Sequence, residues 1–313
     1  MIVCFDIGGS AIKAAVASSR ADLRMLQRQP TPVADFGAFA AALAGIAASA
    51  GGPVERVALS IAGVLDPETG VANVANIPCL HGRPLVRDLQ AALGLPVQVA
   101  NDADCFALAE ATVGSGAGHD IVFGAILGSG VGGGLVAGGR LINEAGGFAG
   151  EWGHGPVAAR IVPGLAEPLP AFPCGCGLAG CLDAICSAWG IEKLWRHLGG
   201  ADLPSTGVLD LWHRGDALAG RVIGVYLYLI SGPLAMVVNM TGADIVPVGG
   251  GLANDEALIA AIDSATRPLT LRRFARPLVV PAACGPDAGL TGAAILALQG
   301  LEGRRPGQGV AEA

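Results

Sequence analysis

The sequence has little charge, and positive charge is the scarcer sign. Only 14% of its 313 residues are charged, and 19 Lys and Arg stand against 26 Asp and Glu, giving a net charge of -7. Basic residues never occur more than two in succession. A protein that binds a nucleic-acid backbone or an anionic membrane surface needs clustered positive charge. We therefore expect neither nucleic acid nor a membrane among its partners.

Features of an export signal are also missing. The opening residues, MIVCFDIGGS, reach an acidic residue at position 6 and lack a basic start followed by a long apolar run. Residues 222–243 are uncharged and long enough to span a bilayer. However, Gly232 and Pro233 interrupt this run and no basic loop flanks it, which favours a buried helix. We expect a cytoplasmic protein.

Two distant segments share one plan. Residues 3–17 and 122–137 each read as an apolar strand, a glycine turn and a second apolar strand. Each is followed later by an apolar strand that runs into glycine, at 57–65 and 244–252. The pattern predicts two α/β halves built alike. Helices are predicted at 35–52, 84–94, 102–111 and 287–300.

The polar, glycine-rich segment 114–120 is the predicted hinge between the halves. This position divides the chain into a small N-terminal domain at 1–115 and a large domain at 116–290. A C-terminal helix, at about 291–313, is expected to return to the small domain.

Three glycine turns suggest a ligand with several phosphates. They are DIGGS at 6–10, GSGVGGG at 128–134 and GGGL at 249–252. Glycine lets backbone N–H groups approach an anion closely because no Cβ intervenes. One such turn can equally serve only to close a hairpin. Three turns at equivalent positions of two halves favour a nucleotide cleft between them.

Asp102 is a candidate catalytic group. It follows the predicted strand 96–101 and opens a helix, so it could simply cap that helix. A carboxylate at a strand end facing a cleft could instead take the proton of an attacking hydroxyl. Asn76 and Asn101 in the same half are short polar residues of the kind that orient sugar hydroxyls.

The stretch CGCGLAGC, at 174–181, brings three cysteines together. The spacing C-x-C-x₄-C suits a tetrahedral Zn²⁺, and the glycines let the loop fold round an ion. His154, 20 residues before Cys174, is the predicted fourth ligand, and a redox-active thiol pair is the alternative. The other five cysteines stand singly in apolar surroundings, as core residues do.

These motifs, in this order, resemble the ROK family, which contains sugar kinases and related repressors. The most specific part is the ExGH stretch at 151–154 followed by the cysteine loop, and the resemblance runs from Asp6 to about residue 298. The family belongs to the actin-like, hexokinase-like ATPase superfamily. The resemblance therefore implies two ribonuclease H-like α/β domains around a central cleft.

The resemblance also implies an ATP- and Mg²⁺-dependent kinase, a homodimer, that phosphorylates the 6-hydroxyl of N-acetylglucosamine with Asp102 as the base. Phosphate contacts would come from Asp6, Gly8, Gly9, Ser10, Gly128, Ser129, Gly130, Gly132 and Gly133. Adenosine contacts would come from Gly249, Gly250 and Gly251. Sugar contacts would come from Gly63, Asn76, Asn101, Asp102, Glu151, His154 and Asp183. A structural Zn²⁺ would be held by His154, Cys174, Cys176 and Cys181.

The sequence departs from the family pattern in three places. Ser10-Ala11 replaces the usual Thr-Lys and Lys13 comes two positions late, so a lysine contact to phosphate is not carried over. Asp183 replaces a glutamate and Ala62 a proline. Both changes bear on which sugar is preferred.

Other functions of the family stay open from the sequence. A ROK glucokinase, fructokinase or N-acetylmannosamine kinase would use the same hydroxyl contacts. A sugar-responsive repressor would need a winged-helix domain before the first hairpin, and the first glycine turn here begins at residue 6. The presence of Asp102 argues against a catalytically silent sugar sensor.

Overall fold

Two five-stranded sheets form the frame of the computed structural model, which describes residues 1–20 and 22–302. The strands of the first half are β1 (Ile2–Ile7), β2 (Ala11–Ala17), β3 (Leu23–Pro30), β4 (Arg56–Ile61), β5 (Gly63–Leu65), β6 (Ala72–Val74) and β7 (Val97–Asn101). Those of the second half are β8 (Ile121–Leu127), β9 (Val131–Ala137), β10 (Arg140–Leu141), β11 (Val246–Gly249) and β12 (Val279–Pro281).

The two sheets have the same internal topology. The first has the order β3-β2-β1-β4-β7 and the second β10-β9-β8-β11-β12. In each, two antiparallel pairs are followed by two parallel pairs. The predicted repeat of one plan is thus confirmed. β5 and β6 form a separate two-stranded ribbon beside the first sheet.

Helices fill the intervals between the strands. They are α1 (Phe36–Ala48), α2 (Leu85–Leu93), α3 (Asp102–Val113), α4 (Leu182–Cys186), α5 (Ala188–His197), α6 (Ser205–His213), α7 (Ala217–Thr241), α8 (Glu256–Thr266) and α9 (Ala288–Glu302). Short 3-10 helices occupy Gly251–Asn254, Arg267–Leu269 and Gly285–Asp287. The four predicted helices are confirmed as α1, α2, α3 and α9.

The N-terminus of α3 differs from the expectation in one respect. The capping residue is Asn101, whose side chain accepts a hydrogen bond from the Ala103 amide at 2.8 Å. Asp102 is the first helical residue and is not the cap. The reason is that Asn101 still has extended backbone angles, as an N-cap residue requires. The Asp102 carboxylate is therefore not needed to begin the helix.

Helix α7 contains most of the long uncharged stretch. It is long and apolar enough to cross a membrane, but 56% of its most apolar window is buried inside the protein. One face packs into the core beneath the second sheet through residues such as Tyr226 and Leu229. The opposite face exposes Tyr228, Met236 and Met240.

Helices α3 and α9 lie between the two sheets. Both contribute to one buried cluster with β1, β4 and β8, through residues such as Cys4, Ala58 and Val122. The helices approach so closely that a Cβ at Gly292 would overlap the Cys105 carbonyl group. The C-terminal helix thus packs on the first sheet, while residues 303–313 of the predicted segment lie outside the described residues. The division into domains at residue 115 stays a prediction.

The chain passes from one sheet to the other twice, between α3 and β8 and between β12 and α9. The fully buried carboxylate of Glu110 lies where the two passages meet. One oxygen accepts hydrogen bonds from the Ala283 and Cys284 amides, at 2.9 and 2.7 Å. The other accepts from the Ser115 amide at 2.8 Å. Glu110 thus satisfies backbone donors of both passages.

We predict that Glu110→Gln lowers the free energy of unfolding by about 1–3 kcal/mol, because one acceptor oxygen becomes an amide group facing buried N–H donors. Urea denaturation would measure this change in the free energy of unfolding through the shift of the urea midpoint. Glu68→Gln, at an exposed position, is the matched control and should leave the midpoint unchanged. Equal midpoints for both variants would contradict the role assigned to Glu110.

Candidate active site

The two hairpin turns occupy equivalent positions in the two sheets. The first lies between the paired residues Ile7 and Ile12, and the second between Leu127 and Val131. The turn at 249–251 lies directly beside the second hairpin, because a Cβ on Gly128 would be 3.7 Å from the Gly251 nitrogen. The structure therefore brings two of the three predicted nucleotide-binding turns into contact.

Gly132 and Gly133 do not lie in the turn. Both belong to β9, where they pair with Ile126 and Ala125 of β8. A Cβ on Gly133 would come within 2.6 Å of the Phe123 ring. Packing thus accounts for a small residue at 133, and phosphate contacts from these two glycines stay a prediction.

Predicted sugar ligands of the first half gather where β7 ends. Asn101 is fixed on two sides, since its side chain caps α3 and its Nδ2 donates to the Gly63 carbonyl at 3.0 Å. Asn76 lies against the first turn, because a Cβ on Gly9 would be 3.0 Å from the Asn76 carbonyl oxygen. Gly63, Asn76, Asn101 and Asp102 are thus brought to one edge of the first sheet.

Asp102 is half-buried at this edge, and its Oδ1 accepts a hydrogen bond from the Ala103 amide at 2.9 Å. Burial raises the pKa of Asp102 to about 6, and the negative charges of Asp6 and Glu151 act in the same direction. A carboxylate with this pKa is ionised at neutral pH and is a better proton acceptor than an exposed one.

Asp6 lies at the end of β1 and has two partners within the first half. The Ser60 hydroxyl donates to its Oδ1 at 3.0 Å, and the Lys13 ammonium lies 4.0 Å from its Oδ2. Burial raises the pKa of Asp6 despite both contacts. Lys13 also lies 3.3 Å from Oδ1 of Asp287, just before α9. This lysine, displaced from the family position, joins the first hairpin to the second passage between the sheets.

Asp104 is a second acidic group that sequence reasoning did not single out. It is only 3% exposed, and Nδ2 of Asn143 donates to its carboxylate at 3.1 Å. Burial raises its pKa to about 7, and the charges of Glu151 and Asp102 add to that effect. The same Asn143 amide also donates to the Ala149 carbonyl at 2.8 Å. Asp104 thus ties α3 to the loop that precedes Glu151.

The predicted metal ligands come together. One ligand atom from each of His154, Cys174, Cys176 and Cys181 lies within 4.8 Å of all the others. Nδ1 of His154 is 3.6 Å from the Cys174 sulfur, and the Cys176 and Cys181 sulfurs are 3.7 Å apart. Tetrahedral Zn²⁺ with Zn–S bonds of about 2.3 Å would separate its sulfur ligands by about 3.8 Å. The donor set and its spacing fit a zinc ion.

Glu151 and the second nitrogen of His154 face each other. Nε2 of His154 lies 4.0 Å from Oε2 of Glu151, on the side of the ring opposite the cysteines. Burial raises the pKa of Glu151, which the nearby His154 partly offsets. One imidazole can therefore bind a metal ion through Nδ1 while its Nε2 faces Glu151.

Asp183 has contacts that the sequence did not predict. Its Oδ1 accepts a hydrogen bond from the Val131 amide at 2.8 Å, and its Oδ2 lies 3.5 Å from the Cys174 sulfur. Helix α4 begins at Leu182 with Cys181 at the N-cap, so Asp183 does not cap it. A contact between Asp183 and a sugar stays a prediction.

Two sheets with the same strand topology, glycine turns at equivalent positions and a carboxylate at one edge of the first sheet are features of the actin-like, hexokinase-like α/β class. The chain belongs to the ROK family, whose model matches residues 2–300. The predicted fold class and family are both confirmed.

Individual relatives cover nearly the whole chain. The N-acetyl-D-glucosamine kinase of Escherichia fergusonii is 37% identical over 300 residues, 94% of this chain and 98% of that protein. The N-acetylgalactosamine kinase AgaK of Shewanella sp. (strain ANA-3) is 34% identical over 294 residues, 93% of this chain and 94% of that protein. The structure of a ROK hexokinase from Thermus thermophilus is 32% identical and gives a TM-score of 0.81, covering 96% of this chain and 99% of that one.

Proposed function

We propose that the chain is an ATP-dependent kinase that phosphorylates the 6-hydroxyl of N-acetylglucosamine. The observation that carries the proposal is Asp102, a half-buried carboxylate with a raised pKa beside the sugar-type polar groups Asn101 and Glu151. Two relatives are named as kinases of N-acetylgalactosamine and N-acetyl-D-glucosamine, and these names support an N-acetylhexosamine as the substrate.

In the proposed reaction, Asp102 accepts the proton of the sugar hydroxyl while that oxygen attacks the γ-phosphorus of ATP. The bond from the γ-phosphorus to the β,γ-bridging oxygen breaks in the same step, and ADP leaves with that oxygen. Asn101 holds its orientation because the helix cap and Gly63 fix both ends of its amide. Asn76, Glu151 and His154 would bind the other hydroxyls. Mg²⁺, when bound with ATP, supplies positive charge that offsets the charge developing on the phosphates.

Nucleotide binding is assigned to the glycine turns. The turns at 8–10 and 128–130 would hold the phosphates through the backbone N–H groups of Gly9, Ser10, Ser129 and Gly130, because the Gly8 and Gly128 amides donate within the hairpins to Ala11 and Gly130. Asp6 lies beside the first turn. The turn at 249–251, which touches the second hairpin, would lie against the adenosine. The two halves would enclose both substrates and exclude water from the transferred phosphoryl group.

Zinc is proposed as a structural ion. Three cysteine sulfurs and Nδ1 of His154 would hold it, which fixes the ring and leaves an N–H at Nε2 to donate to a sugar hydroxyl. The metal would then orient the sugar pocket and take no part in the chemical step.

We also propose that the protein is cytoplasmic and associates as a homodimer. Exposed apolar side chains on α7 support self-association, since Tyr228, Met236 and Met240 are 46%, 58% and 79% exposed. A light-scattering mass equal to one chain would contradict the dimer.

The substrate is tested by a coupled assay of ADP release with a panel of sugars. We expect the highest kcat/KM for N-acetylglucosamine, and the relative from Shewanella makes N-acetylgalactosamine the competing candidate. Glucose, fructose and N-acetylmannosamine complete the panel. No ADP release with any of these sugars would contradict a sugar kinase.

Asp102→Asn keeps the side-chain shape and removes the proton acceptor. We expect kcat to fall about 10²- to 10⁴-fold while the sugar dissociation constant changes less than about threefold. In the unaltered protein, kcat/KM should fall about tenfold per pH unit below about pH 6 and level off above it, because a protonated Asp102 cannot accept a proton.

Asp202→Asn, whose side chain is 90% exposed beside Arg196, is the control and should retain full activity. Retention of more than a tenth of kcat by Asp102→Asn would remove Asp102 from the role of base.

Cys176→Ser should abolish stoichiometric zinc and weaken sugar binding, because His154 loses the ion that orients it. Elemental analysis of the purified protein measures the metal, and calorimetry measures sugar affinity. Cys79→Ser, outside the ligand cluster, is the matched control. One zinc per chain in Cys176→Ser, or none in the unaltered protein, would contradict the ligand set.

A further inference from the structure

Asp183 lies between the predicted metal ligands and the second phosphate turn. Its Oδ1 accepts a 2.8 Å hydrogen bond from the amide of Val131, the first residue after that turn. The same oxygen lies against the turn itself, because a Cβ on Gly130 would be 2.7 Å from it. The carboxylate therefore occupies the space that a side chain at position 130 would need.

The backbone round Asp183 is fixed from both sides. Its own amide donates to the Gly153 carbonyl at 2.9 Å, one residue before His154. Five residues on, the Ala188 amide donates to the Gly128 carbonyl at 2.7 Å. The segment from Cys181 to Ala188 thus holds the turn at its beginning through Ala188 and at its end through Asp183.

We infer that Asp183 is a positioning residue for the nucleotide: its carboxylate fixes the turn at 128–130 and couples that turn to the loop that carries the metal ligands. The inference rests on the proposed function, in which this turn binds the phosphates of ATP. A turn that binds through backbone N–H groups loses affinity when its conformation is no longer fixed, since the order must then be created on binding. Disorder of the metal-ligand loop should accordingly weaken nucleotide binding as well as sugar binding.

The identity of residue 183 agrees with this role. The family pattern has a glutamate at this position, and the aspartate is one methylene shorter. In this chain the aspartate is long enough for its Oδ1 to accept from the Val131 amide and to fill the space where a Cβ on Gly130 would stand. The competing interpretation is that Asp183 contacts the sugar directly. In that case, substitution of Asp183 would change the affinity for sugar and not the affinity for nucleotide.

The test compares Asp183→Ala with Asp183→Asn. The asparagine keeps an oxygen that can accept from the Val131 amide, whereas the alanine has none. Calorimetry would measure the dissociation constant of a non-hydrolysable ATP analogue in the absence of sugar. It would also measure the dissociation constant of N-acetylglucosamine in the absence of nucleotide. We expect Asp183→Ala to bind the analogue about 10- to 100-fold more weakly and Asp183→Asn to stay within about threefold of the unaltered protein. Zinc content should be unchanged in both.

Hydrogen exchange supplies a measurement that does not depend on any ligand. The peptide that spans 127–134 should exchange faster in Asp183→Ala than in the unaltered protein, and Asp183→Asn should restore the protection. Asp202→Ala is the surface control for both measurements.

Each other result contradicts the inference. If Asp183→Ala weakens sugar binding alone, Asp183 is a direct sugar ligand. If zinc, sugar and nucleotide are lost together with thermal stability in both variants, the role is only structural. If the unaltered protein binds nucleotide and Asp183→Ala binds it equally well, this inference is overturned and the proposed function is not. An unaltered protein that binds no nucleotide overturns the proposed function as well.

Discussion

The close packing of α3 against α9 is the constraint on which the rest of the molecule depends. Both helices lie between the sheets, and the absence of a side chain at Gly292 lets their backbones touch near Cys105. Helix α3 carries Asp102 at its first turn and Glu110 at its last, so one rigid element reaches from the candidate site to the two chain passages. A shift of this helix would therefore move the proposed base and the connections between the halves together.

Four acidic groups lie in or near the candidate site, and burying them costs free energy. Asp6, Asp102, Asp104 and Glu151 all have raised pKa values, in each case chiefly because burial disfavours the charged form. Hydrogen bonds from Ser60 and Asn143 offset only part of that cost. Hydroxyl donors and positive charge brought by the substrates of the proposed reaction would offset more of it.

The metal-ligand loop has two neighbours. On one side, Nε2 of His154 faces Glu151, and on the other, Asp183 reaches the Val131 amide at the second glycine turn. The geometry of one small cluster can thus influence both substrates of the proposed reaction. When two subsites share one ordered loop, the conformational entropy of ordering that loop is lost once, on folding, and both subsites are fixed by it.

The sequence by itself determined the repeated strand-turn-strand units, helices α1, α2, α3, α7 and α9, and the four candidate metal ligands, whereas α4, α5, α6 and α8 were not predicted. Those features depend on apolar periodicity, glycine placement and cysteine spacing, which are local in the chain. Only the tertiary structure decided the partners of the buried carboxylates, because Asp104, Glu110 and Asp183 bond to groups 39, 173 and 52 residues away. No spacing rule encodes such contacts, since they depend on how two sheets and two helices pack. The tertiary structure also decided which residue caps α3. Residue type could not, because both Asn and Asp cap helices well, whereas the extended backbone of Asn101 identifies it as the cap.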